Sequence, residues 1–163
     1  MIYFSKNLED TAKIAEFLAK KIKPNSKSAT IVALSGELGA GKTHLTQRVA
    51  KLFGIKKKLA SPTFVIMKFY EVKPTSPRPS PERRGGILNF KKLIHIDAYR
   101  LKNSEELLKL GWKEILKDSG NLIFIEWPEN VRSVMPKNRV KICLKHKGEN
   151  KREIEVKIAS FRQ

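Results

Sequence analysis

The fold of this chain is decided by residues 29–53, with the sequence ATIVALSGELGAGKTHLTQRVAKLF. Residues 29–34 form a short, almost continuous apolar run, which predicts a strand buried on both faces of a parallel sheet. A glycine-rich turn follows. Apolar residues then recur at helical spacing over 42–53, and Gly54 stands where a left-handed cap would end the helix. The stretch therefore predicts a strand, a glycine turn and a helix.

The turn carries the chemistry that the sequence predicts. Residues 36–43, GELGAGKT, match the pattern G-x-x-x-x-G-K-[ST] at every fixed position. Glycines let backbone N–H groups approach a phosphate closely, and the helix N-terminus adds partial positive charge. Lys42 is expected to reach the β- and γ-phosphates, and the Thr43 hydroxyl to give an oxygen to Mg²⁺. We therefore expect a nucleoside triphosphate with magnesium, bound by Glu37, Leu38, Gly39, Ala40, Gly41, Lys42 and Thr43.

Apolar periodicity predicts the elements around this unit. They are a helix over 8–22 capped by Asn7, strands over 64–72, 93–96 and 122–125, a short helix between Ser104 and Gly111, and a hairpin of strands 140–144 and 154–158. The alternation of helices with apolar strands predicts an α/β fold of three layers, of the P-loop NTPase kind. Its central sheet is expected to be mostly parallel, with an antiparallel C-terminal hairpin.

Acidic residues end two of these strands. Asp97 follows the strand over 93–96, and Glu126 follows the strand over 122–125. Ligands of open α/β sheets bind at the carboxyl ends of the strands, so either side chain could face a magnesium ion bound at the turn. Their positions in the sequence do not choose between them.

Length and charge bound the remaining possibilities. The chain has 163 residues and a mass of 18.6 kDa, which predicts a single domain over 1–163, with a proline-rich insertion at about 73–89 that we expect to be mobile. A formal net charge of +18 favours polyanionic partners. The lysine and arginine runs fit an RNA-facing surface or simply a solvated basic face.

One cysteine, and no export signal or apolar run near membrane-spanning length, predict a cytoplasmic protein without membrane contact.

Four blocks in this order resemble one family. They are GELGAGKT at 36–43, SPTF at 61–64, HIDAYRL at 95–101 and IEWPE at 125–129, and together they resemble the TsaE family. TsaE is the small bacterial ATPase of the machinery that makes threonylcarbamoyladenosine in tRNA. The resemblance implies that ATP binds the loop with Lys42, that Thr43 and Glu126 hold Mg²⁺, and that Asp97 belongs to the catalytic centre with Lys42 and Glu126. It also implies that Thr63 makes a polar contact near the γ-phosphate.

The resemblance also implies partners. In that family the ATPase works with TsaD, which transfers the threonylcarbamoyl group, and with TsaB, which scaffolds TsaD. This protein is then expected to bind the TsaB–TsaD assembly and to reset it by ATP hydrolysis, slowly when alone and fully with its partners. Direct contact with tRNA stays open. Two other readings also stay open: a nucleotide-dependent RNA-binding or scaffold protein in which hydrolysis is incidental, and a small-molecule kinase.

Overall fold

The computed structural model describes residues 1–57, 59–72, 90–149 and 151–158. The predicted insertion at 73–89 lies outside the described residues. The described elements form one sheet of seven strands with helices on both faces. The strands are β1 Ile2–Ser5, β2 Thr30–Gly36, β3 Met67–Glu71, β4 Lys92–Asp97, β5 Asn121–Glu126, β6 Val140–His146 and β7 Arg152–Ile158. The helices are α1 Leu8–Lys21, α2 Lys42–Leu52, α3 Ser104–Lys109 and α4 Trp112–Lys117, with 3₁₀ helices at Ala98–Arg100 and Pro128–Val134.

The sheet is mixed, with its strands in the order β1-β7-β6-β2-β5-β4-β3. The four central strands pair in parallel: β6 with β2, β2 with β5, and β5 with β4. The other three pairings, at the two sides of the sheet, are antiparallel. The C-terminal hairpin of β6 and β7 is confirmed. The expectation of a mostly parallel sheet is not confirmed, because only three of the six pairings are parallel. Besides the hairpin, β1 pairs with β7 and β3 pairs with β4 in antiparallel fashion.

Three layers follow from the alternation of side chains along the buried strands. In β2, Val32 and Leu34 face the cluster packed under α1 and α2, whereas Ile31 and Ala33 face the cluster packed under α3, α4 and the second 3₁₀ helix. Both faces of β2 are therefore apolar, which explains the continuous apolar run in the sequence. The predicted three-layer α/β arrangement is present in the described residues.

Local signals mark the ends of the two long helices. The Asn7 side chain accepts a hydrogen bond from the Asp10 backbone N–H at 2.8 Å, as a capping residue does at a helix N-terminus. Gly54 has φ +80°, and the N–H groups of Gly54 and Ile55 close on the carbonyls of Lys51 and Ala50. This is a Schellman ending, which needs a residue that tolerates a left-handed backbone. The predicted cap and stop of these helices are confirmed.

One predicted strand begins later than expected. Strand β3 begins at Met67 instead of residue 64, because the Pro62 carbonyl accepts hydrogen bonds from the N–H groups of Val65 and Ile66 and so closes a turn there. Helix α3 begins at Ser104 as predicted, with Asn103 as its cap, and the unpredicted helix α4 follows Gly111. In the part of the chain that the structure describes, no helix is long and apolar enough to cross a membrane.

Candidate functional site

The candidate site lies at the carboxyl edge of the central strands. Strand β2 runs into the glycine-rich loop, which comprises residues 36–43 and leads into α2. The register pairs Leu34 of β2 with Glu126 of β5, and Glu126 in turn with Asp97 of β4. Parallel strands end at the same edge of a sheet and lie about 4.8 Å apart, so both carboxylates stand beside the loop.

Glycine is required where the loop leaves the sheet. Gly36 has φ +138°, and a Cβ atom built on it would lie 2.3 Å from the Leu144 carbonyl oxygen of β6. At the other end of the loop, Gly41 has φ +100° and precedes the first residue of α2. These two positions turn the chain from the strand into the helix within a few residues, which leaves the helix N-terminus directed at the space beside the carboxylates.

The ammonium group of Lys42 is held inside the loop. Its Nζ donates hydrogen bonds to the carbonyl oxygens of Gly36 at 2.7 Å and Glu37 at 2.9 Å. The same atom lies 4.1 Å from the ring centre of Trp127, within the range of a cation–π contact. Burial lowers the pKa of Lys42, and the nearby carboxylates of Glu126, Asp97 and Glu129 partly offset this effect. A cation is thus kept within a few ångströms of the loop backbone.

Glu126 meets donors from two other elements. It is only 3% exposed, and its Oε1 accepts a hydrogen bond from the Thr43 hydroxyl of α2 at 2.7 Å. The same oxygen lies 2.8 Å from Nε2 of His95 on β4. Among the described residues, no group of three or more His, Cys, Asp or Glu side chains could hold a metal ion. A hydroxyl and one carboxylate are, however, the small set of oxygen donors that suits Mg²⁺ when phosphates and water complete its shell.

Asp97 is linked to the segment 61–64. Its Oδ2 accepts a hydrogen bond from the Thr63 hydroxyl at 2.5 Å, and its Oδ1 accepts one from the Tyr99 backbone N–H at 3.0 Å. A hydroxyl has one proton to donate, so in the 2.6 Å contact between Ser61 and Thr63 the proton comes from Ser61. This chain of two hydroxyls ties the segment to a carboxylate that is 4% exposed.

Trp127 has a backbone conformation that is rare outside glycine. Its φ is +57°, and its N–H donates to the Leu34 carbonyl oxygen at 3.2 Å. This bond fixes the end of β5 against β2, and the Trp127 ring packs at 5.1 Å from the ring of Tyr99. The unusual φ turns the chain after Glu126 so that the indole ring comes to lie over the Lys42 ammonium group.

The structure brings together most of the residues that the sequence singled out. Lys42, Thr43, Asp97, Glu126 and Thr63 join one hydrogen-bonded and ionic neighbourhood at the strand ends. In the loop itself Ala40 is buried, whereas three residues are exposed: Glu37, Leu38 and Gly39.

His95 is a site residue that the sequence analysis did not single out. Side chains alternate between the two faces of a strand, so His95 lies on the same face of β4 as Asp97, two residues further on. This spacing is the sequence pattern that could have placed His95 beside the site.

A second feature lies beside α2. A cavity of about 1100 Å³ is lined by His44, Arg48 and Lys51 of α2, by residues 54–57 and by part of β3. Burial and the neighbouring guanidinium of Arg48 lower the pKa of His44, which accepts a hydrogen bond from Arg48 Nε at 3.1 Å. Lys56 and Lys57 also line this cavity, so its charged residues are four cations and one anion, Glu71, set among apolar side chains.

The fold and the site together define a class: α/β proteins with a glycine-rich loop that joins a central parallel strand to a helix beside two acidic strand ends. Within that class the chain belongs to the TsaE family, since the family model described as threonylcarbamoyl adenosine biosynthesis protein TsaE matches residues 5–154. The resemblance seen in the four sequence blocks is confirmed.

Relatives and a solved structure agree with this membership. A tRNA threonylcarbamoyladenosine biosynthesis protein TsaE from Rickettsia felis is 37% identical over 147 residues, which cover 90% of this chain and 73% of that protein. The protein of the same description from Bacillus subtilis is 33% identical over 148 residues, covering 91% of this chain and 79% of its own. A crystal structure of Bacillus subtilis YdiB matches with a TM-score of 0.66 and 28% identity, over 94% of this chain and 82% of that one.

Proposed function

We propose that the protein is a Mg²⁺-dependent ATPase of the P-loop kind that serves threonylcarbamoyl modification of adenosine in tRNA. The observation that carries the proposal is the 2.7 Å hydrogen bond between the Thr43 hydroxyl and Glu126, which joins the first turn of α2 to a buried strand-end carboxylate. The loop backbone and Lys42 supply the positive groups that bound phosphates need. The modification pathway is inferred from family membership and from the names of the relatives.

The metal would be held by Thr43 and Glu126. Both offer oxygen atoms, which Mg²⁺ prefers, and both lie at the mouth of the glycine-rich loop. When bound, the ion would neutralise charge on the phosphates during transfer to water. The negative charge of Glu126 also partly offsets the cost of burying the Lys42 ammonium group. The same carboxylate would therefore interact with the metal ion and with Lys42.

Asp97 is proposed as a catalytic residue beside the metal carboxylate. Its two oxygens accept hydrogen bonds from Thr63 and from the Tyr99 backbone, which fixes the plane of the carboxylate. A phosphate that draws the segment 61–64 towards it would act on Asp97 through the Thr63 hydroxyl. Asp97 would therefore respond to the state of the nucleotide, and orient the attacking water when ATP is present.

The partners proposed are TsaB and TsaD, with ATP hydrolysis resetting their complex between rounds. Slow turnover by the isolated chain, and full turnover with the partners, is part of this proposal. The direct test is ATP turnover with and without TsaB–TsaD, combined with capture of the chain by that complex. Lys42→Ala should abolish nucleotide binding or turnover. Parent-like turnover of that variant, with the partners present, would contradict the proposal.

The two carboxylates should separate in kinetics. Glu126→Ala should mainly raise the Mg²⁺ concentration needed for half-maximal rate, because it removes a metal ligand. Asp97→Ala should lower the turnover rate more than the affinity for ATP. Titration of Mg²⁺ and ATP in both variants measures this division, and identical profiles would refute it.

A second candidate, nucleotide-dependent RNA binding, is favoured by the four cations at the cavity beside α2, Arg48, Lys51, Lys56 and Lys57. Neutralising Arg48 and Lys51 together should make tRNA binding less sensitive to salt. The slope of the logarithm of the binding constant against the logarithm of the salt concentration should fall by about 0.7 for each lost phosphate contact. The matched control neutralises Lys13 and Lys20 of α1, which removes the same charge elsewhere. Equal slopes for the two double variants would leave the cavity without a role in RNA binding.

A further inference from the structure

The carboxylate at the centre of the site touches a residue that has no part in the function proposed so far. We propose that His95 is a positioning residue that holds Glu126 in the orientation in which it binds a divalent cation. The inference rests on the proposed function, because it concerns the side chain that would hold the metal.

Two donors from different elements contact the same oxygen of Glu126. The Thr43 hydroxyl reaches Oε1 from the first turn of α2 at 2.7 Å, and Nε2 of His95 reaches it from β4 at 2.8 Å. The structure records no hydrogen bond from any described residue to the other oxygen, Oε2. One oxygen is therefore clamped, which leaves the second for a cation or a water bound to it.

The position of the imidazole proton follows from its surroundings. Both side chains are almost fully buried, His95 at 0% and Glu126 at 4% exposure. Nδ1 of His95 is buried and has no hydrogen-bond partner in the described structure. A proton on Nδ1 alone would leave a buried donor unmet and set the Nε2 lone pair against a carboxylate oxygen. The proton therefore resides on Nε2, and the imidazole donates to Glu126.

The packing alone does not call for a histidine. His95 lies between Ile94 and Ile96 and pairs in register with Phe124, in strands whose other central residues are apolar. An apolar side chain of similar size would fill the same volume and leave no buried polar atom unmatched. The histidine is explained by its contact with Glu126, in the way that partners of metal ligands commonly fix the orientation of those ligands.

Three variants separate positioning from packing. His95→Gln keeps an amide N–H donor at about the distance of Nε2 from the backbone, whereas the shorter His95→Asn places its amide nearer the position of Nδ1 and does not reach Glu126. His95→Leu, which removes the donor and keeps apolar volume, is the second variant without a donor to Glu126 in case His95→Asn does not fold. Folding of each is checked by circular dichroism and thermal unfolding.

The measurement is binding of Mn²⁺, followed by electron paramagnetic resonance, to the full chain saturated with ADP. His95→Asn and His95→Leu should weaken Mn²⁺ binding by about 10- to 100-fold, and His95→Gln should restore it to near the parent value. The affinity for ADP without the cation should be the same in all variants. Parent-like Mn²⁺ binding in His95→Asn and His95→Leu, or equal loss in all three variants, overturns the role of His95. Failure of the parent itself to bind Mn²⁺ with ADP would instead reject the proposed metal site and this inference with it.

Discussion

Gly36 is the position at which a single methyl group should do most damage to the site. Replacement by alanine would place Cβ 2.3 Å from the Leu144 carbonyl oxygen, 3.2 Å from its carbon and 3.4 Å from its nitrogen. These are backbone atoms of β6, so no side chain can turn away to make room. The Gly36 carbonyl also accepts a hydrogen bond from Lys42, so a shift of the β2 end disturbs the glycine-rich loop as well.

Gly148 is the matched control for the strain that a side chain causes at positive φ. Its φ is +122°, close to the +138° of Gly36, but a Cβ atom there would meet nothing within 4 Å. Gly148→Ala should therefore lower the free energy of unfolding only by the backbone strain at positive φ, about 1–3 kcal/mol. Gly36→Ala should lose about 2 kcal/mol more from the forced separation of β2 and β6, which corresponds to an unfolding midpoint about 4–8 °C lower than that of Gly148→Ala.

Thermal and urea unfolding of the parent and both variants measure this difference. Calorimetry with ADP then shows whether the displaced β2 end also weakens nucleotide binding, as it should in Gly36→Ala and not in Gly148→Ala. Equal midpoints for the two variants would refute the reasoning, because the difference between them rests on the contact with Leu144 alone.

Two further predictions concern side chains around the loop. Thr63→Val should lower ATP turnover by about 10- to 100-fold at unchanged ADP affinity, because it removes a hydrogen bond to the Asp97 carboxylate. Thr63→Ser keeps the hydroxyl and should retain turnover. Steady-state kinetics of the two variants test this difference. Magnesium and ADP should change the tryptophan fluorescence through Trp127, whose ring lies over Lys42, and not through the buried Trp112. The change should survive in Trp112→Phe and vanish in Trp127→Phe; the opposite pattern would contradict the assigned contact.

Sequence signals sufficed where the interactions are local. The glycine-rich loop, the cap at Asn7 and the left-handed ending at Gly54 depend on backbone conformations and on hydrogen bonds within a few residues, so residue type and spacing predict them. The same holds for the buried central strands, whose apolar runs reflect burial on both faces. Where local chemistry competed, as in the turn closed by the Pro62 carbonyl, the predicted strand started too early.

Only the tertiary structure decided which groups meet. Thr43 and Glu126 are separated by 83 residues, and Thr63 and Asp97 by 34, so their contacts depend on strand order and register instead of on neighbouring sequence. The same register brings His95 to Glu126, while the left-handed backbone at Trp127 brings its ring over Lys42. A pattern along the chain shows which residues can do chemistry. It does not show their partners, because pairing between distant segments is fixed by how the whole core packs.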